Sequence, residues 1–134
     1  MKIIIFTILL SASINVGFTQ SKIKANTQSI ESLKVPDFKD PQVKAYFNWH
    51  RSHVIKYVKA VRENNKPAIK GVFEEGISKA KESEAIIKKA ESSGTVEYKK
   101  LQEYSRQVSS LMQEVSKSAY VQQLTKEYMG KTKN

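Results

Sequence analysis

The segment FNWHRSHVIKY (residues 47–57) contains both histidines and the only tryptophan of the 134-residue chain. Imidazoles titrate near neutral pH and are common acid–base groups and metal ligands, so chemistry is first sought here. His50 and His53 are three residues apart, a spacing that places two side chains on one helix face, within reach of one metal ion. The chain has no cysteine and no third histidine, so a carboxylate must complete such a metal site. The candidate carboxylates are Glu74, Glu75 and Glu114.

Both histidines also fit a purely structural role. His50 fills a gap in the apolar face of a predicted helix, whereas His53 lies on the flank of that face beside Tyr46 and Trp49. In this interpretation His50 is a core residue bonded to a tyrosine or a carbonyl, and His53 is a surface residue. Haem ligation by His50 and Met112 is a further alternative, although Met112 is adequately explained as a core residue. Because two histidines alone do not make a metal site, we predict no cofactor and keep metal binding by His50 and His53 as the alternative.

The sequence contains no recognisable signature of catalysis. It has no GxSxG, HExxH or CxxC motif, no phosphate-binding glycine loop and no DxDxDG calcium loop. The acidic pairs Glu74/Glu75 and Glu82/Glu84 are interspersed with lysines, which is typical of charged helix surfaces and not of an opposed acid and base. We therefore predict that the protein is not an enzyme and has no catalytic residue.

Helix start and stop signals predict an all-α fold. Asp40 followed by Pro41 is a strong start signal, because the Asp side chain accepts hydrogen bonds from free amides and Pro needs no donor in the first turn. The first helix is predicted from Pro41 to about Glu63. The sequence ENNKP (residues 63–67) then ends it, and a second helix continues to about Ser92, just before Gly94.

The third predicted helix extends toward Met129 from Thr95, which can cap it. Its apolar positions shift by one residue between Ser116 and Tyr120, which indicates a bend or a break. The predicted architecture is an antiparallel three-helix bundle, or a four-helix bundle if the last helix breaks at residues 116–120.

Flanking segments surround a bundle domain predicted to span residues 40–130. Residues 1–19 have a basic start, an apolar run and small residues after it, the pattern of a secretory signal peptide. This apolar stretch is too short and too interrupted for a stable transmembrane anchor. Residues 20–39 are predicted to be a polar linker with one helical turn around Thr27 to Leu33, and residues 131–134 a disordered tail. The protein is expected to be secreted or periplasmic.

The chain is strongly basic, with 23 lysine and arginine residues, 13 acidic residues and a formal charge of +10. Removal of Lys2 with the signal peptide leaves +9, which favours anionic surroundings. An anion-binding face on one side of the first predicted helix is formed by Lys44, Arg51, Lys59 and Arg62. That side has no interleaved aromatic residues, so nucleic acid is not expected as a ligand.

Trp49 lies off the apolar seam, with Tyr46 and His53 nearby, and the three residues are predicted to form a protein-binding surface. Alternatively, residues 21–39 fold back over Trp49 through Phe38 or Leu33. The sequence therefore predicts a small secreted helical interaction or structural module that binds a protein partner in the cell envelope. Metal binding and the binding of an anionic surface are the alternatives, and the oligomeric state is open.

Overall fold

The computed structural model describes residues 30–132, which contain a short 3₁₀ turn, Ile30–Ser32, and five α-helices. The helices are α1 (Pro41–Arg62), α2 (Lys66–Ser78), α3 (Ala80–Glu91), α4 (Thr95–Ser116) and α5 (Ala119–Thr132). No β-strand occurs among residues 30–132, so the all-α bundle is confirmed for this part of the chain. The predicted count of three long helices is wrong, because the second and the third are each divided. The predicted signal peptide and residues 20–29 lie outside the described residues.

Helix α1 begins as the sequence predicts. The Asp40 carboxylate accepts hydrogen bonds from the amides of Gln42 (2.8 Å) and Val43 (3.2 Å), and Pro41 lies in the first turn. Lys89 of α3 binds the same carboxylate at 2.9 Å. The donated hydrogen bonds, with that of Lys89 the strongest, hold the pKa of Asp40 below its usual value. The start of α1 is thus fixed both by a local cap and by a contact with α3.

Helix α1 lies at the centre of the bundle, where it packs against α2, α3 and α4. Its buried side chains repeat at helical spacing and include both histidines. They are Val43, Tyr46, Phe47, His50, His53, Val54, Tyr57, Val58 and Ala60. None of the helices among residues 30–132 is both long enough and apolar enough to cross a membrane.

The second predicted helix is divided at Lys79, which separates α2 from α3. The Ser78 hydroxyl donates to the carbonyl of Glu75 (2.8 Å), and Gly76 weakens the helix in the same turn. Helices commonly kink at such combinations of glycine and serine. The apolar pattern continues across this point, which is why periodicity alone predicts one helix. The break places Ser83 and Lys79 beside α1, where both contact the site described below.

The third predicted helix is divided between Ser116 and Ala119, so the predicted alternative of a break at residues 116–120 is confirmed. The Ser118 side chain accepts a hydrogen bond from the amide of Val121 (3.3 Å) and so caps α5. Helix α5 buries Val121 and Leu124 and packs against α2 and α4. It continues to Thr132, two residues beyond the predicted end of the bundle domain.

The turns after α1 and before α4 lie where the sequence predicts breaks. Asn65 caps α2 by accepting a hydrogen bond from the amide of Ala68 (3.1 Å). Gly94 has a φ of 111°, which a side chain rarely permits. Gly94 itself occupies the N-cap position of α4 and Thr95 is the first helical residue, so the predicted Thr95 cap is wrong.

Residues 30–39, which we call the strap, pack along the bundle ahead of α1. Ile30, Leu33 and Phe38 are buried in the core, with exposed fractions of 4%, 1% and 2%. Phe38 stacks on Phe47 of α1 with a centroid distance of 5.0 Å. The described part of the predicted linker is therefore a packed element of the domain. Isolated apolar residues in a polar segment have neither helical nor strand periodicity, so the pattern does not indicate their burial.

Candidate functional site

The structure gathers the aromatic and imidazole side chains of α1 and one tyrosine of α4 into a buried cluster, the histidine cluster (Tyr46, Trp49, His50, His53 and Tyr104). The rings of successive members lie 4.9 to 6.3 Å apart, within contact range. Helical spacing on α1 brings the first four together, and packing of α4 against α1 supplies Tyr104.

His50 is buried, with 3% of its surface exposed. Its Nδ1 shares a hydrogen bond of 2.8 Å with the hydroxyl of Tyr104. Burial, with a smaller contribution from the neighbouring His53, lowers the pKa of His50 to about 3. His50 is therefore neutral in any ordinary aqueous environment, and it is the tyrosine-bonded core histidine that the sequence predicts.

His53 is also buried, with 1% of its surface exposed, so the prediction of a surface histidine is wrong. Its Nδ1 lies 3.1 Å from Oε1 of Glu75 on α2, and Lys56 lies 3.3 Å from the same oxygen. Burial lowers the pKa of His53, although the Glu75 carboxylate opposes this shift. Partial burial favours the neutral acid of Glu75, but the donors His53 and Lys56 outweigh it and hold its pKa below the usual value.

The second ring nitrogen of His53 faces the backbone of α2. Because an ionised carboxylate only accepts hydrogen bonds, Nδ1 of neutral His53 carries the proton and Nε2 carries a lone pair. This Nε2 is buried without a hydrogen-bond partner in the described part of the protein. A Cβ atom at Gly76 would lie 3.3 Å from it. The close approach of His53 to α2 therefore depends on glycine at position 76.

Trp49 is the member of the cluster that reaches the surface. Its ring is half-buried and stacks on His53, with centroids 4.9 Å apart and an interplanar angle of 26°. The Lys79 ammonium lies 5.1 Å from the Trp49 centroid, at the break between α2 and α3. Phe38 stacks on Phe47 instead of covering Trp49.

Tyr46 is buried, with 4% of its surface exposed. Its hydroxyl donates to Ser83 Oγ, and Ser83 in turn donates to the Lys79 carbonyl (2.9 Å). Burial raises the pKa of Tyr46 to about 12, so the phenol stays neutral. Since Tyr46 and His53 are both buried, they do not form an exposed surface with Trp49, and only Trp49 of the predicted partner-binding residues is accessible.

The histidines come together, but each Nδ1 already has a partner. Glu75 is the one predicted carboxylate that contacts a histidine, whereas Glu74 is exposed and Glu114 binds Arg62. Among residues 30–132, no group of three or more His, Cys, Asp or Glu side chains is arranged to hold a metal ion. Met112, the alternative haem ligand, is a buried core residue with 5% exposure.

The four residues of the predicted anion-binding face all make contacts within the protein. Lys44 lies 2.9 Å from Asp37, and Lys59 lies 3.9 Å from Glu31, so both pair with acidic residues of the strap. Arg51 donates to the carbonyls of Leu33 (2.6 Å) and Glu31 (3.1 Å). Arg62 forms a bidentate salt bridge with the Glu114 carboxylate of α4, with N–O distances of 2.8 and 3.0 Å. Three of these basic residues thus fasten the strap to α1.

Comparison of the chain with protein-family models, with curated proteins and with solved structures gives no match.

The sequence does not predict the contacts that three residues make in the histidine cluster: Gly76, Ser83 and Tyr104. Tyr104 lies at an apolar position of the third predicted helix, so the sequence predicts its burial. Nothing in the sequence predicts its hydrogen bond to His50. An isolated glycine inside a helical pattern often has a packing reason, and this is the available signal for Gly76. Ser83 is an ordinary helix residue whose partner Tyr46 is 37 positions away in the sequence.

Proposed function

We propose that the protein is a small exported, non-catalytic helical module that binds a protein partner in the cell envelope, with Trp49 as the central contact. The observation that carries the proposal is the placement of Trp49, half-buried and stacked on the buried ring of His53 at 4.9 Å. His53 is itself bonded to Glu75. The Trp49 ring is thus held in place by a fixed neighbour, while part of its surface stays accessible to solvent.

A tryptophan held in this way is suited to protein recognition. Fixed aromatic side chains supply a large contact area and lose little conformational entropy on binding. Tryptophan is among the residues that dominate the energetics of protein interfaces. The ammonium of Lys79 lies 5.1 Å from the ring centroid and pairs with Glu82 at 2.9 Å, so the ring is bordered by a charged pair.

The two alternatives have less support. Metal binding by His50 and His53 has less support because no group of three or more His, Cys, Asp or Glu side chains is arranged to hold a metal ion among residues 30–132. Anion binding through α1 would compete with contacts that Lys44, Arg51 and Lys59 already make to the strap.

The test is capture of the partner from an envelope fraction by immobilised mature chain (residues 20–134). Trp49→Ala is compared with Tyr98→Ala, a matched control because Tyr98 is an aromatic residue outside the cluster with 41% exposure. We expect Trp49→Ala to weaken binding of the captured protein by about 30-fold, Tyr98→Ala to leave it unchanged, and added salt to have little effect. Undiminished binding to Trp49→Ala together with a steep loss of affinity in salt would support the anionic-surface alternative instead.

Export has its own test, because it rests on residues 1–19 alone. Intact mass or N-terminal sequencing of the protein from cells should show the loss of about 17 to 20 residues. Recovery of the full-length chain in the membrane fraction would contradict export.

A further inference from the structure

Most of the polar contacts between the strap and the bundle are made by the main chain of the strap. The guanidinium of Arg51 donates to the carbonyls of Leu33 (2.6 Å) and Glu31 (3.1 Å). The side-chain amide of Gln107 on α4 accepts from the amide of Lys34 (3.0 Å) and donates to the carbonyl of the same residue (3.1 Å). The Gln107 side chain thus binds both the N–H and the C=O of Lys34, as a neighbouring β-strand does with the residues it pairs with.

Two more main-chain groups are bound near the end of the strap. Lys100 of α4 donates to the carbonyl of Asp37 (2.7 Å), and the Glu97 carboxylate accepts from the amide of Lys39 (2.9 Å). Together with Arg51 and Gln107, these side chains contact six main-chain groups of the strap. Any extended peptide carries such groups, so these contacts are independent of sequence.

Sequence preference comes from the three apolar side chains of the strap. Ile30, Leu33 and Phe38 are each at most 4% exposed. Phe38 stacks on Phe47, which meets Tyr104 edge to face at 5.1 Å. Main-chain hydrogen bonds that hold a peptide, combined with pockets that select its side chains, are the two parts of extended-peptide recognition.

The charges of the strap and its surroundings are complementary. Glu31 and Asp37 of the strap lie 3.9 Å and 2.9 Å from the ammonium groups of Lys59 and Lys44. We call the bundle surface formed by Lys44, Phe47, Arg51, Glu97, Lys100 and Gln107 the strap groove. Its cationic side on α1 matches an acidic and apolar peptide.

We propose that the strap groove is a peptide-binding site, and that the chain's own strap occupies it in place of an extended segment of a partner protein. The ligand class is a peptide with apolar residues at the spacing of Ile30, Leu33 and Phe38 and an acidic residue just before the last of them. This site does not include Trp49, whose neighbours are Tyr46, His50, His53 and Lys79, although Phe47 of the groove also contacts Tyr46. The inference therefore does not depend on the function proposed above.

Release of the strap would expose the apolar surface that Ile30, Leu33 and Phe38 now cover. The internal main-chain hydrogen bonds of the strap are short-range, from Leu33 to Ile30 and from Phe38 to Pro36. The cap of α1 belongs to Asp40 at the boundary and does not require the strap. A covalently attached strap has an effective concentration of about millimolar, so a partner segment competes with it. A substitution within the strap that weakens its docking and leaves the groove unaltered should strengthen binding in trans by up to the same factor.

The experiment measures binding of a fluorescein-labelled peptide with the sequence of residues 28–40 to the mature chain by fluorescence anisotropy. We expect Phe38→Ala in the protein to bind the peptide at least about tenfold more tightly than wild type, because the strap competes less well. Adding Gln107→Ala to that variant should weaken binding about tenfold, since the main-chain contact to Lys34 is lost. A peptide with alanine in place of Leu33 and Phe38 is the matched control and should bind weakly. Absence of saturable binding to a helical Phe38→Ala protein would overturn the proposal.

Hydrogen exchange on wild-type protein tests the same site without a substitution. Excess unlabelled peptide should speed exchange of the strap amides of Lys34 and Lys39 and leave the amides of α1 unchanged. Unchanged exchange of both strap amides at millimolar peptide would contradict the proposal. So would a wild-type dimer, seen by light scattering, that exchanges straps and excludes the peptide, because a second copy would then be the occupant. Trp49→Ala should not affect peptide binding, which separates this result from the partner-capture test.

Discussion

The two sides of α1 are held by different kinds of interaction. Toward α2 and α3, the helix presents neutral, buried side chains of the histidine cluster, of which His53 is 1% exposed. Toward the strap, it presents cations such as Lys44 and Arg51 that bind acidic groups and main-chain carbonyls near the surface. The first side depends on the absence of charge and on close packing, whereas the second depends on the presence of charge. A change of protonation should therefore affect them very differently.

The largest expected effect is loss of stability in acid. The folded-state pKa of His50 is about 3, below the value of about 6.5 for an unfolded histidine, so the unfolded chain binds the proton first. The contribution of neutral His50 to stability is therefore largely present above pH 6.5 and should fall by about 1.4 kcal/mol per pH unit below it, or by about 3 kcal/mol at pH 4.5. His53, whose pKa is also lowered by burial, adds to this loss. Urea denaturation from pH 7.5 to 4.5 measures it.

The same titration distinguishes the two sides of α1. Lys44 lowers the pKa of the strap carboxylate Asp37. The stability that this carboxylate contributes is therefore lost only when the pH falls into the ordinary carboxylate range, below the range in which the histidines titrate. The double variant His50→Leu/Tyr104→Phe should show a shallower loss between pH 6.5 and 5. Stability that stays constant from pH 7 to pH 5 in wild type would show that the histidines are not buried as neutral groups.

The second prediction concerns the bond between His50 and Tyr104, which are 2.8 Å apart. His50→Leu fills the space but leaves a buried hydroxyl without its partner, so it should destabilise the protein by about 1 to 3 kcal/mol. Tyr104→Phe in addition should recover most of the loss, since both polar groups are then removed. Denaturant unfolding of the two single variants and the double variant gives the interaction free energy between His50 and Tyr104. Additive single losses would mean that the bond contributes nothing.

The third prediction concerns the hydrogen bonds by which Arg51 holds the strap. Arg51→Met removes two hydrogen bonds to strap carbonyls and should cost about 1 kcal/mol, nearly independent of salt because the acceptors are neutral. Arg62→Met is the matched control on the same helix. Its pair with Glu114 is partly exposed, so its loss should cost less than about 1 kcal/mol and shrink further in high salt. Thermal melts at low and high salt compare them, and an equal salt response of the two variants would contradict this assignment.

The smallest expected effect tests the contact between Gly76 and His53. Alanine at position 76 gains helix propensity of about 1 kcal/mol, but its Cβ would lie 3.3 Å from His53 Nε2. The imidazole is held by Trp49 and Glu75 and has little room to withdraw, so Gly76→Ala should be slightly destabilising in wild type. In a His53→Ala background the same change should stabilise by about 1 kcal/mol. If Gly76→Ala changed the free energy of unfolding in the same direction in both backgrounds, Gly76 would have no packing role toward His53.

Local signals in the sequence predict much of the fold. Asp40 and Pro41 predict the start of α1, and the register shift near Ser116 predicts the break before α5, because caps and periodicity act over a few residues. The burial of His50 follows from its place in the apolar seam. What periodicity does not reveal is the break at Lys79, since the apolar pattern runs through it without interruption.

The contacts of the candidate site and the strap are mostly beyond local reasoning. His53 is buried because α2 approaches it at a glycine, and its partner Glu75 is 22 residues away. The strap is held by residues up to 73 positions away. Such pairings depend on how the helices pack, and spacing along one helix carries no information about them. Of the predicted partner-binding residues, Trp49 alone is accessible.

The contacts of the strap with α4 also determine when it can take its place. A chain is synthesised from its N-terminus, so the strap is made long before the residues that hold it: Glu97 follows Lys39 by 58 positions, and Gln107 follows Lys34 by 73. At about 5 to 20 residues per second, several seconds separate the appearance of Leu33 and Phe38 from that of their binding surface. During that interval these apolar side chains have no groove to enter. Docking of the strap is thus a late event in the formation of the domain, and it completes the core only after α4 has been made.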